Sequence, residues 1–307
     1  MTGRRIVIAG ASGFVGEYLV RRFREAGDTV ATIGRGAADA RWSDSDAIAA
    51  VIDGSDVLIN LAGKSVNCRY TRKNKAAIFS SRLLTTAELG DAVAGVQHPP
   101  AVWFNASTAT IYRHADDRPM TEKKGEIGYG FSVNVATAWE REFFAHHRDG
   151  VRQVALRMAI VLGDGSALTP LVRLTRLGLG GPQIGGKTAG GRQHFSWVHI
   201  ADVFRSIEFL LDHAEIADAV NVCSPHPVEN RELMATLRRV LGVRFFIPLF
   251  SWMLELGAFA IRSETELLVK SRWVVPKRLL DAGFEFEFPT LDGALRDILE
   301  PSTRTTV

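Results

Sequence analysis

The residues with the clearest chemistry lie in one short run. Gly10, Gly13 and Gly16 punctuate Gly10-Ala11-Ser12-Gly13-Phe14-Val15-Gly16, behind the apolar stretch 5–9 and ahead of a helix-like pattern. A tight turn out of a strand needs a residue free of Cβ constraints, and Gly10 supplies one. Gly13 lets the backbone approach a diphosphate, and Gly16 lets helix and strand pack closely. The helix N-terminus then offers N–H groups and partial positive charge to the phosphates. A structural glycine turn is the alternative, but a strand before and a helix after are the context a dinucleotide site demands. Gly10, Ser12, Gly13, Phe14, Val15 and Gly16 are therefore expected to hold a dinucleotide.

The end of the second predicted strand bears on which dinucleotide. A site selective for NADH carries an Asp or Glu about 20 residues past the glycines, accepting from the ribose 2′-hydroxyl. No acid occupies positions 29–38, and Asp28 precedes the strand. Arg35 stands where the adenosine ribose is expected, and a guanidinium can grip a 2′-phosphate with two N–H donors. The expected cofactor is NADP(H). The alternative is that Arg35 is a solvated loop residue.

Other clusters carry less. Arg69, Arg72, Lys73 and Lys75 form a basic group that is either a solvated face or an attraction for an anionic substrate group such as a phosphate. His146 and His147 are adjacent on a helix and face different ways. Cys68 and Cys223 cannot build a zinc site alone, and no metal is expected. Gly163-Asp164-Gly165-Ser166 is not a G-x-S-x-G elbow.

The elements that must position these residues alternate through the first half. Buried strands are predicted at 5–9, 29–33, 56–61, 101–106 and 154–162, and helices at 14–26, 75–94 and 131–147. Such alternation implies parallel pairing through crossover helices, hence an α/β, Rossmann-type doubly wound parallel sheet. After Gly163 the texture changes. Residues 177–191 are glycine-rich, a loop or pair of turns able to close over a site. An aromatic patch at 194–200, a helix at 202–211 and a strand at 219–222 follow. From Asn230 the chain reads as mostly helical, with a strand-like alternation at 284–288 and a last helix at 291–299. The expected division is a dinucleotide-binding domain at 1–166 with 193–222 returning to it. A smaller, mostly helical C-terminal substrate lobe takes 167–192 and 223–300, and 301–307 forms a tail.

Composition sets the remaining bounds. Thirty-seven Lys and Arg against 34 Asp and Glu leave +3, which gives no case for a nucleic-acid partner. No signal-like apolar run precedes the first strand, so cytoplasmic residence is expected. Residues 243–261 are strongly apolar but contain Arg244, Pro248, Glu255 and Gly257. A membrane span needs about 20 apolar residues with few charges. A helix packed in a small domain is expected there, with membrane-surface contact as the alternative. Oligomeric state is not readable.

Further segments form an ordered set. They are Asn60-Leu61-Ala62-Gly63, Ser81-Arg82, Ser107-Thr108-Ala109-Thr110-Ile111-Tyr112, Trp139-Glu140, Leu156-Arg157, Val161-Leu162-Gly163, Ser196-Trp197-Val198-His199-Ile200 with Asp202, and Val275-Pro276-Lys277-Arg278. With the G-x-x-G-x-x-G spacing, they resemble the atypical extended short-chain dehydrogenase/reductases that end in a small domain of unknown function. Members of that group are labelled sugar-nucleotide epimerases or, loosely, cell-division inhibitors. The resemblance spans nearly the whole chain. It implies NADP(H) on the Rossmann domain, with Asn60, Leu61, Ala62 and Gly63 along the cofactor's ribose side and Arg157 among the cofactor-binding residues. It puts Ser107 and Thr108 where the superfamily places a hydroxyl near a substrate carbonyl, and the 194–199 patch between the lobes.

One part of the superfamily pattern is absent. Active members carry Tyr-x-x-x-Lys on the long helix, the Lys lowering the Tyr pKa from about 10. Here Val133 stands four residues after Tyr129, Val135 follows Phe131, and no lysine occurs between Lys124 and Lys187. Tyr112 is the leading substitute acid, with Ser107 or Thr108 orienting the carbonyl; Lys64, His194 and His199 are weaker candidates. Each has a structural alternative: a strand cap for Tyr112, a core histidine for His199, a surface charge for Lys64. Three roles stay open. The chain is an NADP(H)-dependent oxidoreductase or epimerase-like protein acting on a small carbonyl or sugar-nucleotide substrate; or a catalytically silent NADPH sensor or scaffold; or a fold without cofactor that acts through a partner surface.

Overall fold

Burial on both faces places β1 (Arg5–Ala9) inside a sheet, with Ile6, Val7, Ile8 and Ala9 all buried. The computed structural model describes residues 3–166, 168–184, 192–247, 249–250 and 271–300. Seven parallel strands lie in the order β3 (Ala40–Arg41), β2 (Thr29–Gly34), β1, β4 (Val57–Asn60), β5 (Val102–Thr108), β6 (Arg152–Met158) and β11 (Asp218–Val222). The order reverses between β1 and β4. Open α/β sheets bind ligands at such a reversal, outside the carboxyl ends of the strands.

Successive side chains of β1 serve opposite layers. Ile6 and Ile8 pack with Leu19 and Phe23 of α1 (Phe14–Glu25) and with Val203 and Ile207 of α6 (Ile200–Asp212). Val7 and Ala9 pack with Ile48 of α2 (Ser45–Ile52), Leu89 of α3 (Arg72–Gly95) and Phe143 of α4 (Phe131–Ala145). The helix starts follow local chemistry. Asp44 caps α2 by accepting from the Ala47 N–H, and Thr71 caps α3 by accepting from the Asn74 N–H. Gly27, at φ +90°, turns the chain out of α1.

A second lobe has its own core. Leu168 and Val172 of α5 (Leu168–Arg176), Leu233 and Leu237 of α7 (Asn230–Val240), and Leu291 and Leu295 of α9 (Leu291–Leu299) bury one another. Small pairings stitch it together: β7 (Ile160–Leu162) with β10 (Trp197–His199), β9 (His194–Phe195) with β12 (Val228–Glu229), and β8 (Gln183–Ile184) with β13 (Leu249–Phe250). Trp197 belongs to this core while its neighbour Val198 belongs to the first. The chain also returns late to the sheet's helix layer, where Leu279 of α8 (Lys277–Asp281) and Phe284 join the first core.

Several sequence expectations need correction. The predicted strand 154–162 is two strands: β6 stays in the main sheet, the chain breaks at Ala159, and β7 joins β10. The alternation at 284–288 forms no strand. Its N–H groups at Glu287 and Phe288 donate to the buried Asp202 carboxylate at 2.8 and 3.0 Å, and its rings at Phe284 and Phe286 pack edge to face. β3, α2 and α5 were not anticipated. The predicted loop 177–191 contains β8, and its residues 185–191 lie outside the described residues. So do 248 and 251–261 of the apolar run, and the tail 301–307. Among the described residues no helix is long and apolar enough to cross a membrane.

Candidate functional site

The glycine turn is built as a cradle. Gly10 has φ +79°, and a Cβ there would stand 2.8 Å from the Ala62 nitrogen, so a side chain would separate the loops after β1 and β4. A Cβ on Gly16 would come within 2.6 Å of the Gly10 carbonyl oxygen. Gly13 is the N-cap of α1 and brings no side-chain cap, which leaves the first-turn N–H groups to a ligand or solvent.

That turn forms one end of a cleft of about 350 Å³ along the carboxyl ends of β1, β4, β5 and β6. Gly10, Gly13, Phe14, Val15 and Gly16 line it, as do Leu61, Ser107 and Thr108. The predicted turn, the end of β4 and the two hydroxyl residues of β5 thus share one wall. Ser12 is exposed in the turn and is not part of that wall.

Asn60 and Ala62 lie behind the wall rather than on it. The Asn60 amide donates to Thr86 Oγ1 at 3.0 Å and to Asn105 Oδ1 at 2.7 Å, and its oxygen accepts from the Ala62 N–H at 3.0 Å. It fixes the loop that Gly10 approaches. Gly63 gives room to a different residue: a Cβ there would lie 3.1 Å from Arg82 Cζ. Arg35 is exposed just past β2. The Asp39 carboxylate nearby is taken up by the Thr32 N–H and hydroxyl at 2.7 and 2.8 Å, which hold it below its ordinary pKa.

Two expectations fail on placement. Arg157 does not line the cleft. Its guanidinium grips Glu140 through Nε at 2.8 Å and Nη2 at 2.7 Å, and Nη1 donates to the Tyr112 hydroxyl at 2.9 Å. Tyr112 is 1% exposed, off the cleft wall, and its hydroxyl donates to Asn221 Oδ1 at 2.8 Å. Burial, only partly offset by Arg157, pushes its pKa up. A phenol so enclosed cannot reach a substrate in the cleft.

The hydroxyls of β5 are differently engaged. Ser107 Oγ donates to Glu140 Oε1 at 2.5 Å. Thr108 Oγ1 accepts from the Thr110 N–H at 3.1 Å. The other candidates sit elsewhere. Lys64 is exposed and uses its backbone N–H on Ser81 Oγ. His194 stacks on Trp273. His199 caps α6, its Nδ1 accepting from the Ala201 N–H at 3.2 Å, and burial lowers its pKa to about 4. It is a core histidine.

Residues of α3 and α4 also line the cleft. Phe131 and Val135, the positions where the expected Tyr and Lys would fall, are both on its wall. Tyr70 packs edge to face on Phe131, and Lys75 Nζ stands 5.2 Å from the centre of the same ring. Ile78, Trp139, Met158 and Arg82 line the cleft as well. Sequence reasoning gave none of these four a role, although an arginine amid apolar neighbours on a helix was the available signal.

A parallel sheet reversing beside a glycine-lined helix start defines a dinucleotide-binding Rossmann protein. The chain belongs to the NAD dependent epimerase/dehydratase family, whose profile matches residues 6–223; a domain of unknown function, DUF1731, matches residues 249–298. It is 30% identical to the epimerase family protein YfhF of Bacillus subtilis, over 96% of this chain and 97% of that one. It is likewise 30% identical to the human epimerase family protein SDR39U1, over 96% of this chain and 99% of the relative. The crystal structure of human SDR39U1 isoform 2 with NADPH superposes with a TM-score of 0.85 at 30% identity, covering 96% of this chain and 99% of the other. A nucleoside-diphosphate sugar epimerase from Corynebacterium glutamicum gives 0.76 at 25% identity, covering 97% of this chain and 58% of that one.

Proposed function

We propose that the cleft binds NADPH and that the chain is an NADP(H)-dependent oxidoreductase or epimerase-like protein acting on a small carbonyl or sugar-nucleotide substrate. The observation that carries this is the meeting, in one cleft, of the glycine cradle with the Ser107 and Thr108 hydroxyls. The residues present fit the cofactor: positions 10 and 16 cannot accept a Cβ, and the uncapped start of α1 opens on the same space. Arg35 favours NADPH over NADH, as its guanidinium complements a 2′-phosphate. The NADPH bound to the human relative supports the same choice.

The dinucleotide bound there would supply a hydride from its nicotinamide as NADPH, or take one up as NADP+. The side chains of β5 handle the proton. Thr108 accepts a backbone N–H, which leaves its own O–H to donate to a substrate oxygen. Ser107 gives its proton to Glu140, so its oxygen is set to receive one from a substrate hydroxyl while Glu140 takes the other. In the reverse direction the same pair returns a proton to a carbonyl oxygen. Arg157 holds the Glu140 carboxylate in place for this exchange. The substrate is a small molecule met inside the protein's own cleft, with cytoplasmic residence as part of the reading.

A panel of aldehydes, ketones and nucleotide sugars, assayed for NADPH consumption or epimerisation, tests the reading. Turnover of at least one compound, lost in Ser107→Ala and in Glu140→Gln with NADPH affinity kept, is expected. The replacement of the usual pair by Phe131 and Val135 favours a second role, an NADPH sensor. Tight NADPH binding with no turnover across the panel would establish it instead.

A further inference from the structure

We propose that the second lobe docks on an anionic membrane surface through Leu177 and residues 244–247. The inference is independent of what the cleft binds.

Four large apolar side chains lie together on the surface of this lobe. Leu177 directly follows α5 and is 76% exposed; Phe245 is 72% exposed, and Phe246 and Ile247 are exposed beside it. The two segments are joined. The Ile247 N–H donates to the Gly178 carbonyl at 2.8 Å, and a Cβ on Gly178 would stand 3.4 Å from Phe245 Cδ1. The helix expected from residue 243 does not form there. α7 ends at Val240, Gly242 turns the chain at φ +69°, and residues 243–247 are neither helix nor strand. Residues 244–247 are all exposed instead of packed. Large apolar side chains gathered on a surface mark a contact site.

The charge around these residues identifies the partner. Arg173 and Arg176 occupy the last turn of α5, and Arg244 precedes Phe245. Arg238 places its Cζ 3.8 Å from the centre of the Phe246 ring. Arg239 adds a fifth guanidinium and is paired with Asp292 at 2.9 Å. Residues 168–184 and 233–247 contain no Asp or Glu, in a chain whose net charge is only +3. Leucine and phenylalanine side chains enter the boundary between headgroups and acyl chains, while neighbouring cations meet lipid phosphates. Arginine suits this border, because its stem lies along apolar surface and its head stays in water. Stable attachment takes two signals, and this surface carries both an apolar and a basic one. A second copy of the chain is a poor occupant. A two-fold contact brings the same patch to both sides, and so sets arginines against arginines.

The test sediments the full chain with two kinds of vesicle, phosphatidylcholine alone and two parts phosphatidylcholine to one part phosphatidylglycerol. Native protein should bind the mixed vesicles, bind the neutral ones about tenfold more weakly or less, and lose affinity as salt is added. Leu177→Ser combined with Phe245→Ser should weaken binding to the mixed vesicles by about tenfold or more, and so should Arg176→Gln combined with Arg244→Gln. Lys123→Gln with Lys124→Gln removes two exposed cations from a different surface and should change nothing. Failure of the native protein to bind mixed vesicles overturns the proposal. So does undiminished binding by the Leu177 and Phe245 variant, or an equal loss in the Lys123 and Lys124 variant, which would make the attraction one of general charge. Sedimentation velocity without lipid covers the remaining occupant: a dimer that the Leu177 and Phe245 variant dissociates would assign the patch to a second copy and overturn the proposal as well. If circular dichroism shows that this double variant does not fold, Phe245→Ser alone decides by the same measurement.

Discussion

Glu140 and Arg157 meet in a two-pronged ion pair, at 2.8 and 2.7 Å, on the inner side of the wall that carries Ser107. Their side chains are 9% and 12% exposed, so each charge depends on the other. The pair links the cleft to the interior in a continuous chain. Ser107 leans on Glu140, Arg157 reaches Tyr112, and Tyr112 reaches Asn221 on β11. The cleft-facing member is the serine, and the phenol is the anchored one.

Tyr112→Phe should therefore leave turnover and NADPH affinity unchanged while lowering stability. The substitution removes one hydroxyl and leaves an Arg157 donor and the Asn221 oxygen short of a partner. A loss of about 1–3 kcal/mol is expected in urea denaturation. Collapse of activity at native stability would show that the phenol takes part in the reaction after all.

Arg35→Glu should discriminate between the two cofactors. The carboxylate repels a 2′-phosphate and can accept from a 2′-hydroxyl, so NADPH binding should weaken by about tenfold or more while NADH binding holds or improves. Calorimetry with each dinucleotide measures the ratio. An unchanged ratio would return Arg35 to the status of a solvated loop residue.

Gly16→Ala probes the cradle itself. The added methyl would meet the Gly10 carbonyl oxygen at 2.6 Å and Ala11 Cα at 2.8 Å, both backbone, so the turn must open. Overpacking of this kind costs about 1–3 kcal/mol. The variant should lose dinucleotide affinity by a larger factor than it loses thermal stability. Native affinity in this variant would place the diphosphate elsewhere.

His199 gives the protein a defined acid weakness. Its folded pKa is lowered from 6.5 to about 4 by burial, so between these values the unfolded chain binds a proton that the folded one refuses. Stability from this group is complete above pH 6.5 and is lost as the pH falls toward 4. His199→Asn keeps a cap for α6 but does not titrate, and its stability should fall less steeply across that window. Equal slopes for both proteins in denaturation at pH 4.5, 5.5 and 6.5 would refute the assignment.

What could be read in advance was local. The glycine turn declares itself because strand, turn and helix start are contiguous, whereas Ser107 and Thr108 are singled out only through the family resemblance. Tyr112 and Arg157 misled because their partners are remote. Asn221 lies 109 residues beyond Tyr112, and nothing near position 112 signals that the phenol will be enclosed. The stretch 284–288 misled for a related reason. Its alternation of Phe and Glu is real, but its N–H groups at 287 and 288 go to Asp202 and that at 284 to the Leu279 carbonyl, rather than to a neighbouring strand. Arg82 went without a role because its environment comes from three separate segments: the loop at Gly63, its own helix, and Trp139.

The fastening of residues 287 and 288 to Asp202, with Leu279 and Phe284 seated against the first sheet, bears on how the molecule is made. A nascent chain that has not yet reached Leu279 can pair its seven strands but leaves the outer layer over α6 bare and a buried carboxylate without its donors. Completion of the cofactor-binding half thus waits until residues 279–288 have left the ribosome. Proteins shortened at the C-terminal end before Leu279 should emerge as aggregation-prone intermediates rather than as a working smaller domain.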